Sequence, residues 1–208
     1  MYEFTIAEPT LPTICLKDWY ELSETSSSKN IEAESVMIGF KASGLEIDKF
    51  YATSCTFKHA DFSGSIFTNS KIYGGSFEYT NLDGITIKNS ELMVSSIRST
   101  NINGLYAYNS NFKASEFRES TYKNVKFEKC NLSSAVLFEM NFVNCSFIDC
   151  DFTGVIFTDV EMRNCDLSNS LFKNVMIADL RLYNTDPNTT SSYNFAKNQL
   201  LSCVMDDD

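Results

Sequence analysis

The sequence predicts an all-β solenoid, in which the chain winds into a column of square turns with a filled interior. Three observations predict it: a large apolar residue at every fifth position, a smaller residue two places before it, and a turn-forming residue two places after it. The stretch NFVNCSFIDCDFTGVIF, with Phe142, Phe147, Phe152 and Phe157, shows this spacing. Neither a helix nor a flat strand repeats every five residues, so the backbone must bend at a fixed interval.

The column of large residues runs from Phe57 to Leu182 without a register slip. Of its 26 positions, 25 are large and apolar or aromatic, against 43% hydrophobic residues in the whole chain, so chance does not explain it. The positions are Phe57, Phe62, Phe67, Ile72, Phe77, Leu82, Ile87, Leu92, Ile97, Ile102, Ala107, Phe112, Phe117, Tyr122, Phe127, Leu132, Leu137, Phe142, Phe147, Phe152, Phe157, Met162, Leu167, Phe172, Ile177 and Leu182. We therefore expect no inserted loop over this range.

The position two residues before each large one, here called the companion position, is mostly Ser, Thr, Cys, Ala or Val. Where the large position holds the small Ala107, its companion is the large Leu105, and the weaker upstream repeats show the same exchange at Phe40 and Ala42. Two side chains that share one packed interior should trade volume in this way. Both columns are therefore predicted to point inward.

The position two residues after each large one, here called the corner, is rich in residues that tolerate tight turns. The Gly, Asn and Asp corners are Gly64, Asn69, Gly74, Gly84, Asn89, Gly104, Asn109, Asn124, Asn144, Asp149, Gly154, Asp159, Asn164, Asn169, Asn174, Asp179 and Asn184. One corner per five residues describes a polygon, and four such sides make a square turn of twenty residues.

Six segments resemble the motif of the pentapeptide-repeat family, roughly A(D/N)LXX. They are ADFSG (60–64), TNLDG (80–84), SNFKA (110–114), CNLSS (130–134), CDFTG (150–154) and CDLSN (165–169). The resemblance covers residues 55–184 well and 35–54 weakly, and it implies a right-handed quadrilateral β-helix with four pentapeptides per turn. At the spacing of adjacent strands, that tube would be about 30 Å long.

Both ends of such a column are open edges that need caps. We predict an N-terminal capping segment over 1–34, the β-helix over 35–184 and a C-terminal helical tail over 185–208. The apolar residues of that predicted short helix include Phe195, Leu200, Leu201 and Val204.

Charge and cysteine content limit the environment and the partners. The net charge of -10 argues against direct nucleic-acid binding and against adhesion to an anionic membrane. Seven cysteines, an odd number in a chain of this length, favour a reducing compartment. The first residues lack a basic region followed by a continuous apolar run, so no cleavable export signal is expected. We predict a cytoplasmic protein, with signal-peptide-independent secretion as the alternative.

No motif for catalysis or for cofactor binding is recognised, and we predict no enzyme activity, catalytic residue, cofactor or metal. The single histidine, His59, falls at an outward corner. In a twenty-residue turn, Cys130 lies beneath Cys150 and Cys145 beneath Cys165, within reach of a disulfide, and four thiols could also suggest zinc. We favour the interpretation that cysteine is a small apolar filler, because Ser, Thr and Ala occupy the same positions elsewhere.

The resemblance implies function only loosely. The family includes quinolone-resistance proteins that resemble B-DNA and bind DNA gyrase, and it also includes secreted bacterial effectors. Residues 55–184 carry 14 acidic and 12 basic residues, a net charge of -2, whereas residues 1–54 carry -5 and the tail -3. A duplex mimic should carry its charge along the rod, and the unbroken register leaves no projecting loop. Both features weaken the gyrase hypothesis.

An outward apolar patch near the C-terminal end is the better candidate site. Its residues are Val136, Phe138, Ile156, Met176 and Ala178, in three successive turns of one face. The patch could be covered by the C-terminal helix, by a second copy that docks through the C-terminal end, or by a foreign partner. Tyr106 and Tyr108, on another face, form a second candidate contact. We predict a non-enzymatic interaction protein whose partner is DNA gyrase or another topoisomerase, or alternatively a secreted effector or scaffold module that binds a host protein.

Overall fold

The chain forms a column of short parallel strands. The structure, a computed structural model, describes residues 29–31, 36–190, 192–193 and 203–206. The strands are β1 (Lys29–Ile31), β2 (Val36–Ile38), β3 (Glu46–Asp48), β4 (Phe50–Thr53), β5 (Thr56–Lys58), β6 (Ile66–Thr68), β7 (Lys71–Tyr73), β8 (Ser76–Glu78), β9 (Thr86–Lys88), β10 (Glu91–Met93), β11 (Ser96–Arg98), β12 (Ile102–Asn103), β13 (Tyr106–Tyr108), β14 (Glu116–Lys123), β15 (Lys126–Glu128), β16 (Val136–Val143), β17 (Ser146–Ile148), β18 (Ile156–Arg163), β19 (Leu171–Phe172), β20 (Met176–Tyr183), β21 (Ser192–Tyr193) and β22 (Cys203–Asp206).

Each strand pairs in parallel with the strand one turn away, and the register is twenty residues. It holds from Val36↔Thr56 to Arg163↔Tyr183, so that Met176 lies seven turns above Val36. This is the quadrilateral β-helix that the five-residue repeat predicts, and the absence of a register slip between Phe57 and Leu182 is confirmed.

Four faces enclose the column, and they are numbered in chain order. Face 1 holds residues 36–38 and their equivalents at twenty-residue steps up to 176–178, face 2 holds 41–43 up to 181–183, face 3 holds 46–48 up to 166–168, and face 4 holds 51–53 up to 171–173. In the upper turns, β14, β16, β18 and β20 continue round the corner from face 1 to face 2.

The large residues fill the interior as predicted. Of the 26 positions between Phe57 and Leu182, 25 are buried, and Ile177 in the last turn is partly buried against the core. Rings one turn apart stack, as Phe127 does on Phe147 at 5.4 Å between centroids. The exchange of volumes is also confirmed, because Leu105 and Ala107 are both buried.

The companion hydroxyls do more than fill space. The Ser90 Oγ accepts the Ser70 N–H at 3.1 Å and donates to the Lys88 carbonyl at 2.8 Å. The same N–H to hydroxyl bond recurs at further companion positions where Ser or Thr stands twenty residues later, as between Cys150 and Ser170 at 2.9 Å. A buried hydroxyl without partners would cost stability, so these bonds explain why Ser and Thr are common inside the wall.

All thirty corners from Gly39 to Asn184 have a positive φ. Glycine, asparagine and aspartate adopt this left-handed conformation most readily, but Tyr79 and Val94 adopt it too, with φ of 51° and 55°. The fixed five-residue side therefore overrides local preference. In the six segments that resemble the family motif, the Asn or Asp side chain accepts an N–H two residues later, for example from Ser63 to Asp61 at 3.0 Å.

The two ends depart from the twenty-residue register. Within the predicted N-terminal cap, β1 pairs with β4 at an offset of 21 residues, and the rest of segment 1–34 lies outside the described residues. In the tail, Pro187–Thr189 form one 3-10 turn, and Cys203–Asp206 pair with Leu180–Tyr183.

Most of the predicted C-terminal helix lies outside the described residues, including Phe195, Leu200 and Leu201. Where the structure describes the tail beyond residue 202, it is a strand, so Val204 lies in a strand and not in a helix. In the described part of the chain, no helix is long and apolar enough to cross a bilayer.

Candidate interaction surface

The predicted apolar patch is brought together on face 1. In the register of β16, β18 and β20, Val136 lies beside Ile156 and Ile156 beside Met176. The second row of the same strands reads Phe138, Thr158 and Ala178. We call Val136, Phe138, Ile156, Met176 and Ala178 the C-terminal patch. Because its residues stand on adjacent rungs of one sheet, their relative positions are set by the backbone ladder.

The residues of the patch differ in exposure. Met176 is the most open of its large residues, with 54% of its surface exposed, whereas Val136, Phe138 and Ile156 are half-buried. The Arg118 guanidinium lies over the Phe138 ring at 5.3 Å and forms an ion pair with Glu116 at 2.9 Å. A charged pair therefore marks the N-terminal border of the patch.

A second border is acidic. It is the corner between faces 1 and 2, where one carboxylate follows another in four successive turns: Glu119, Glu139, Asp159 and Asp179. Arg98 donates to Glu119 at 2.8 Å, and this hydrogen bond lowers the pKa of that carboxyl. Arg181 pairs with Asp159. The surface thus combines an apolar centre with a polar, net negative rim, the usual anatomy of a protein interface.

Tyr106 and Tyr108 form a separate feature on face 3, on the opposite side of the column from the patch. Their ring centroids are 6.4 Å apart, and Lys126 lies over the Tyr106 ring at 5.6 Å and Lys129 over the Tyr108 ring at 5.5 Å. Burial and the nearby Glu128 carboxylate raise the pKa of Tyr106. The two tyrosines are therefore already engaged with neighbouring lysines and do not extend the patch.

Several exposed apolar residues were missed by the sequence argument. Val36 and Ile38 lie in the first turn of face 1, at the other end of the column. Tyr73 lies on face 4, and Val94 lies at the corner that follows face 4. The signal is present in the sequence, since the twenty-residue period assigns every outward residue to a face and places Val36 and Ile38 on face 1. His59 lies at an exposed corner as predicted and stacks on Tyr79 at 5.3 Å.

The cysteines occupy interior positions. The five in the described part of the chain are buried: Cys55, Cys130, Cys145, Cys150 and Cys165. Their thiols donate to carbonyls two residues earlier, as Cys130 does to Glu128 at 3.4 Å. Among the described residues, no three His, Cys, Asp or Glu side chains are grouped so that they could hold a metal ion.

The geometry defines the class of protein: a four-sided parallel β-solenoid with a filled core and surface residues carried on a regular ladder. A family model described as pentapeptide repeats matches residues 53–89 and 130–169, in eight copies. The resemblance of the motifs to pentapeptide repeats is therefore confirmed over these residues.

Two solved structures of other proteins are similar to the chain at low sequence identity. One is full-length QnrB1, a plasmid-mediated fluoroquinolone resistance protein, with 16% identity, coverage of 83% of this chain and 94% of that one, and a TM-score of 0.42. Another is HetL, a pentapeptide repeat protein involved in heterocyst differentiation regulation from the cyanobacterium Nostoc sp. strain PCC 7120, with 9% identity, coverage of 85% and 92%, and a TM-score of 0.44. No curated protein matches the chain in sequence.

Proposed function

We propose that this protein is a non-enzymatic interaction module that presents the C-terminal patch to a protein partner. One observation carries the proposal: Val136, Ile156 and Met176 stack in register on the outside of the column. Outward side chains contribute nothing to the filled interior, and the part of this apolar row that stays exposed, above all Met176, remains in contact with water in the isolated column. It gains free energy only when another surface covers it.

The rigidity of the scaffold supports this use of the surface. Each rung is tied to the next by backbone hydrogen bonds, such as the bond from the Ile156 N–H to the Ala135 carbonyl at 3.0 Å. Binding to a surface that is already ordered loses less conformational entropy than binding to a mobile loop. The acidic border at Glu139 and Asp159 favours a partner whose own apolar contact is flanked by lysine or arginine.

DNA gyrase, or another topoisomerase, is the first partner to test, because the family includes gyrase-binding members. The weak net charge of residues 55–184, with 14 acidic and 12 basic residues, fits a protein contact better than duplex mimicry along the whole rod. A supercoiling assay with added protein decides this point. If the protein neither inhibits gyrase nor relieves quinolone poisoning, the topoisomerase proposal is eliminated. The proposal of an interaction module would still stand.

The alternative is a scaffold or secreted effector that binds a host protein, or a homodimer formed through the C-terminal end. Cytoplasmic location is part of the main proposal, and secretion without a signal peptide is part of the alternative. A secretion reporter fused to the chain distinguishes the two locations. Sedimentation velocity over a range of concentrations tests the homodimer.

The patch itself is tested with paired charge substitutions. Phe138→Asp and Ile156→Asp place a carboxylate in the patch, whereas Ser96→Asp places the same charge on face 1 away from it. We expect the two patch variants to lose at least tenfold in partner capture, or to abolish dimer formation, with an unchanged circular-dichroism spectrum. The Ser96 variant should behave as the wild type. Equal behaviour of all three variants would refute the patch as the binding site.

A further inference from the structure

Two pairs of buried thiols stand one above the other in the wall of the column. Cys130 and Cys150 occupy companion positions of face 4, and Cys145 and Cys165 occupy those of face 3. Backbone bonds hold each pair in register, from the Asp151 N–H to the Cys130 carbonyl at 2.9 Å and from Asp166 to Cys145 at 3.0 Å. Adjacent rungs are about 4.8 Å apart, within the Cα separation of roughly 4.4–6.8 Å that a disulfide spans.

The upper thiol of each pair points toward the turn that carries the lower one. The Cys150 Sγ donates to the carbonyl of Phe127, three residues before Cys130, at 3.5 Å. The Cys165 Sγ makes the equivalent contact with Phe142, three residues before Cys145, at 3.7 Å. The register therefore places the two sulfurs of each pair in neighbouring turns of the same wall.

Proximity makes the ionisation of the two thiols of each pair unequal. The Cys150 thiol lowers the pKa of Cys130, and the Cys165 thiol lowers that of Cys145. In return, the lower cysteine, together with burial, raises the pKa of Cys150 and of Cys165. One thiolate per pair therefore forms more readily than two, and a thiolate is the form of cysteine that reacts with peroxide.

A cysteine thiol at these positions also replaces a serine or threonine hydroxyl that elsewhere accepts an N–H from the turn below. The Cys150 N–H donates to the Ser170 Oγ at 2.9 Å and the Cys165 N–H to the Thr185 Oγ1 at 3.0 Å. For Cys130 and Cys145, the group one turn above is a thiol, whose sulfur is a weaker acceptor than a hydroxyl. Cysteine therefore accepts the hydrogen bond of the wall less well than the serine found one turn away. Only cysteine, however, can form a disulfide with the thiol of the neighbouring turn.

We propose that the two thiol pairs are oxidation sites, at which hydrogen peroxide forms disulfides from Cys130 to Cys150 and from Cys145 to Cys165. The lower sulfur attacks one peroxide oxygen, the O–O bond breaks, and the leaving hydroxide takes up the thiol proton as water, so that the sulfur becomes a sulfenic acid. The upper thiol then attacks this sulfur, the S–O bond breaks, and a second water leaves with the remaining proton. Each pair gives two electrons, and one peroxide is reduced to two waters.

The disulfides would tie together the turns that carry the C-terminal patch. The link from Cys130 closes a loop that contains Val136 and Phe138, and the link from Cys145 closes one that contains Ile156. Closing a loop restricts the unfolded chain and opposes local opening of these turns. The inference does not depend on the proposed function, because the oxidation chemistry is measured on the protein alone.

The experiment treats the folded, full-length protein with hydrogen peroxide, blocks the remaining thiols after denaturation, and maps the links by mass spectrometry. A protease that cleaves after Asp and Glu cuts at Glu139, Asp149 and Asp159, which places the four thiols on separate peptides. We expect both links, a mass about 4 Da below that of the reduced protein, and a higher urea midpoint that dithiothreitol reverses. The link from Cys165, whose exposure of 7% is the largest of the four, should form first.

Two serine variants provide the matched control. Cys150→Ser and Cys165→Ser should fold as the wild type, because serine fills companion positions at Ser110 and Ser170. Each should lose its own link and keep the other, and each should lose part of the rise in urea midpoint. Links that join other cysteines, sulfinic acids without links, or links that form only in urea would overturn the proposal.

Discussion

Tyr122 gives the sharpest test of the interior, because its buried hydroxyl lowers the stability of the folded protein. The side chain is fully buried at a large inward position, and its hydroxyl has no hydrogen-bond partner in the structure. Burial accordingly raises the pKa of Tyr122. We predict that Tyr122→Phe stabilises the protein, the opposite of the usual effect of a core substitution.

The expected magnitude follows from what the substitution removes and what it keeps. The ring contacts are retained, edge-on to Phe117 at 6.3 Å and to Phe142 at 5.6 Å. The hydroxyl no longer has to be stripped of water, a penalty of about 1–3 kcal/mol for an unsatisfied buried group. Since part of this gain is lost as reduced packing, we expect about 1–2 kcal/mol of added stability.

Urea unfolding followed by circular dichroism measures this change. With a slope of about 2 kcal/mol per molar urea, the midpoint should rise by roughly 0.5–1 M. Tyr122→Ala is the control for the ring, and it should destabilise by about 3–5 kcal/mol. A Tyr122→Phe variant that is less stable than the wild type would show that the hydroxyl is bonded in the folded protein and would refute the reasoning.

Three further predictions use the same unfolding assay. Phe147→Ala removes a buried ring that stacks on Phe127 and should cost about 3–5 kcal/mol, whereas the outward Lys113→Ala should cost under about 0.5 kcal/mol; similar losses would contradict the inward assignment. Val94→Asn relieves a β-branched residue at φ 55° and should add about 1 kcal/mol, and a loss would argue against strain at this corner. Ser90→Ala removes the acceptor of a buried N–H and should cost about 1–3 kcal/mol. An unchanged free energy of unfolding would show that the hydroxyl does not stabilise the wall as a hydrogen-bond acceptor.

The interior could be predicted almost entirely from the sequence, because the repeat imposes one requirement on every side of the square. A residue such as Phe112 has to be large and apolar at its place in the period, whatever its neighbours are. Corners were less predictable. The residue types of Gly84 and Asn89 predict a turn, but those of Tyr79 and Val94 do not. At these two corners the backbone turns because the paired strands on either side fix its path.

The bonds of the wall were not predictable from residue type alone. Small companions such as Ser90 and Cys150 look like fillers in the sequence, and only the orientation of the N–H groups shows that Ser90 accepts a hydrogen bond. On the outer surface, the twenty-residue period was enough to align Val136 with Ile156. It did not reveal that Arg118 lies over Phe138, because that contact depends on side-chain conformation.

The size of the C-terminal patch limits how a partner can bind. Three rungs from Val136 to Met176 cover only about 10 Å along the column, too short a span for the apolar centre alone to supply the roughly 800 Å² per partner of a stable interface. The contact must therefore extend beyond the apolar centre. In the direction of face 2 it first meets the acidic corner at Glu139 and Asp159. A partner that uses the patch must bring positive charge to that corner, and Glu139→Lys should weaken binding and reduce its dependence on salt even though it leaves every apolar contact in place.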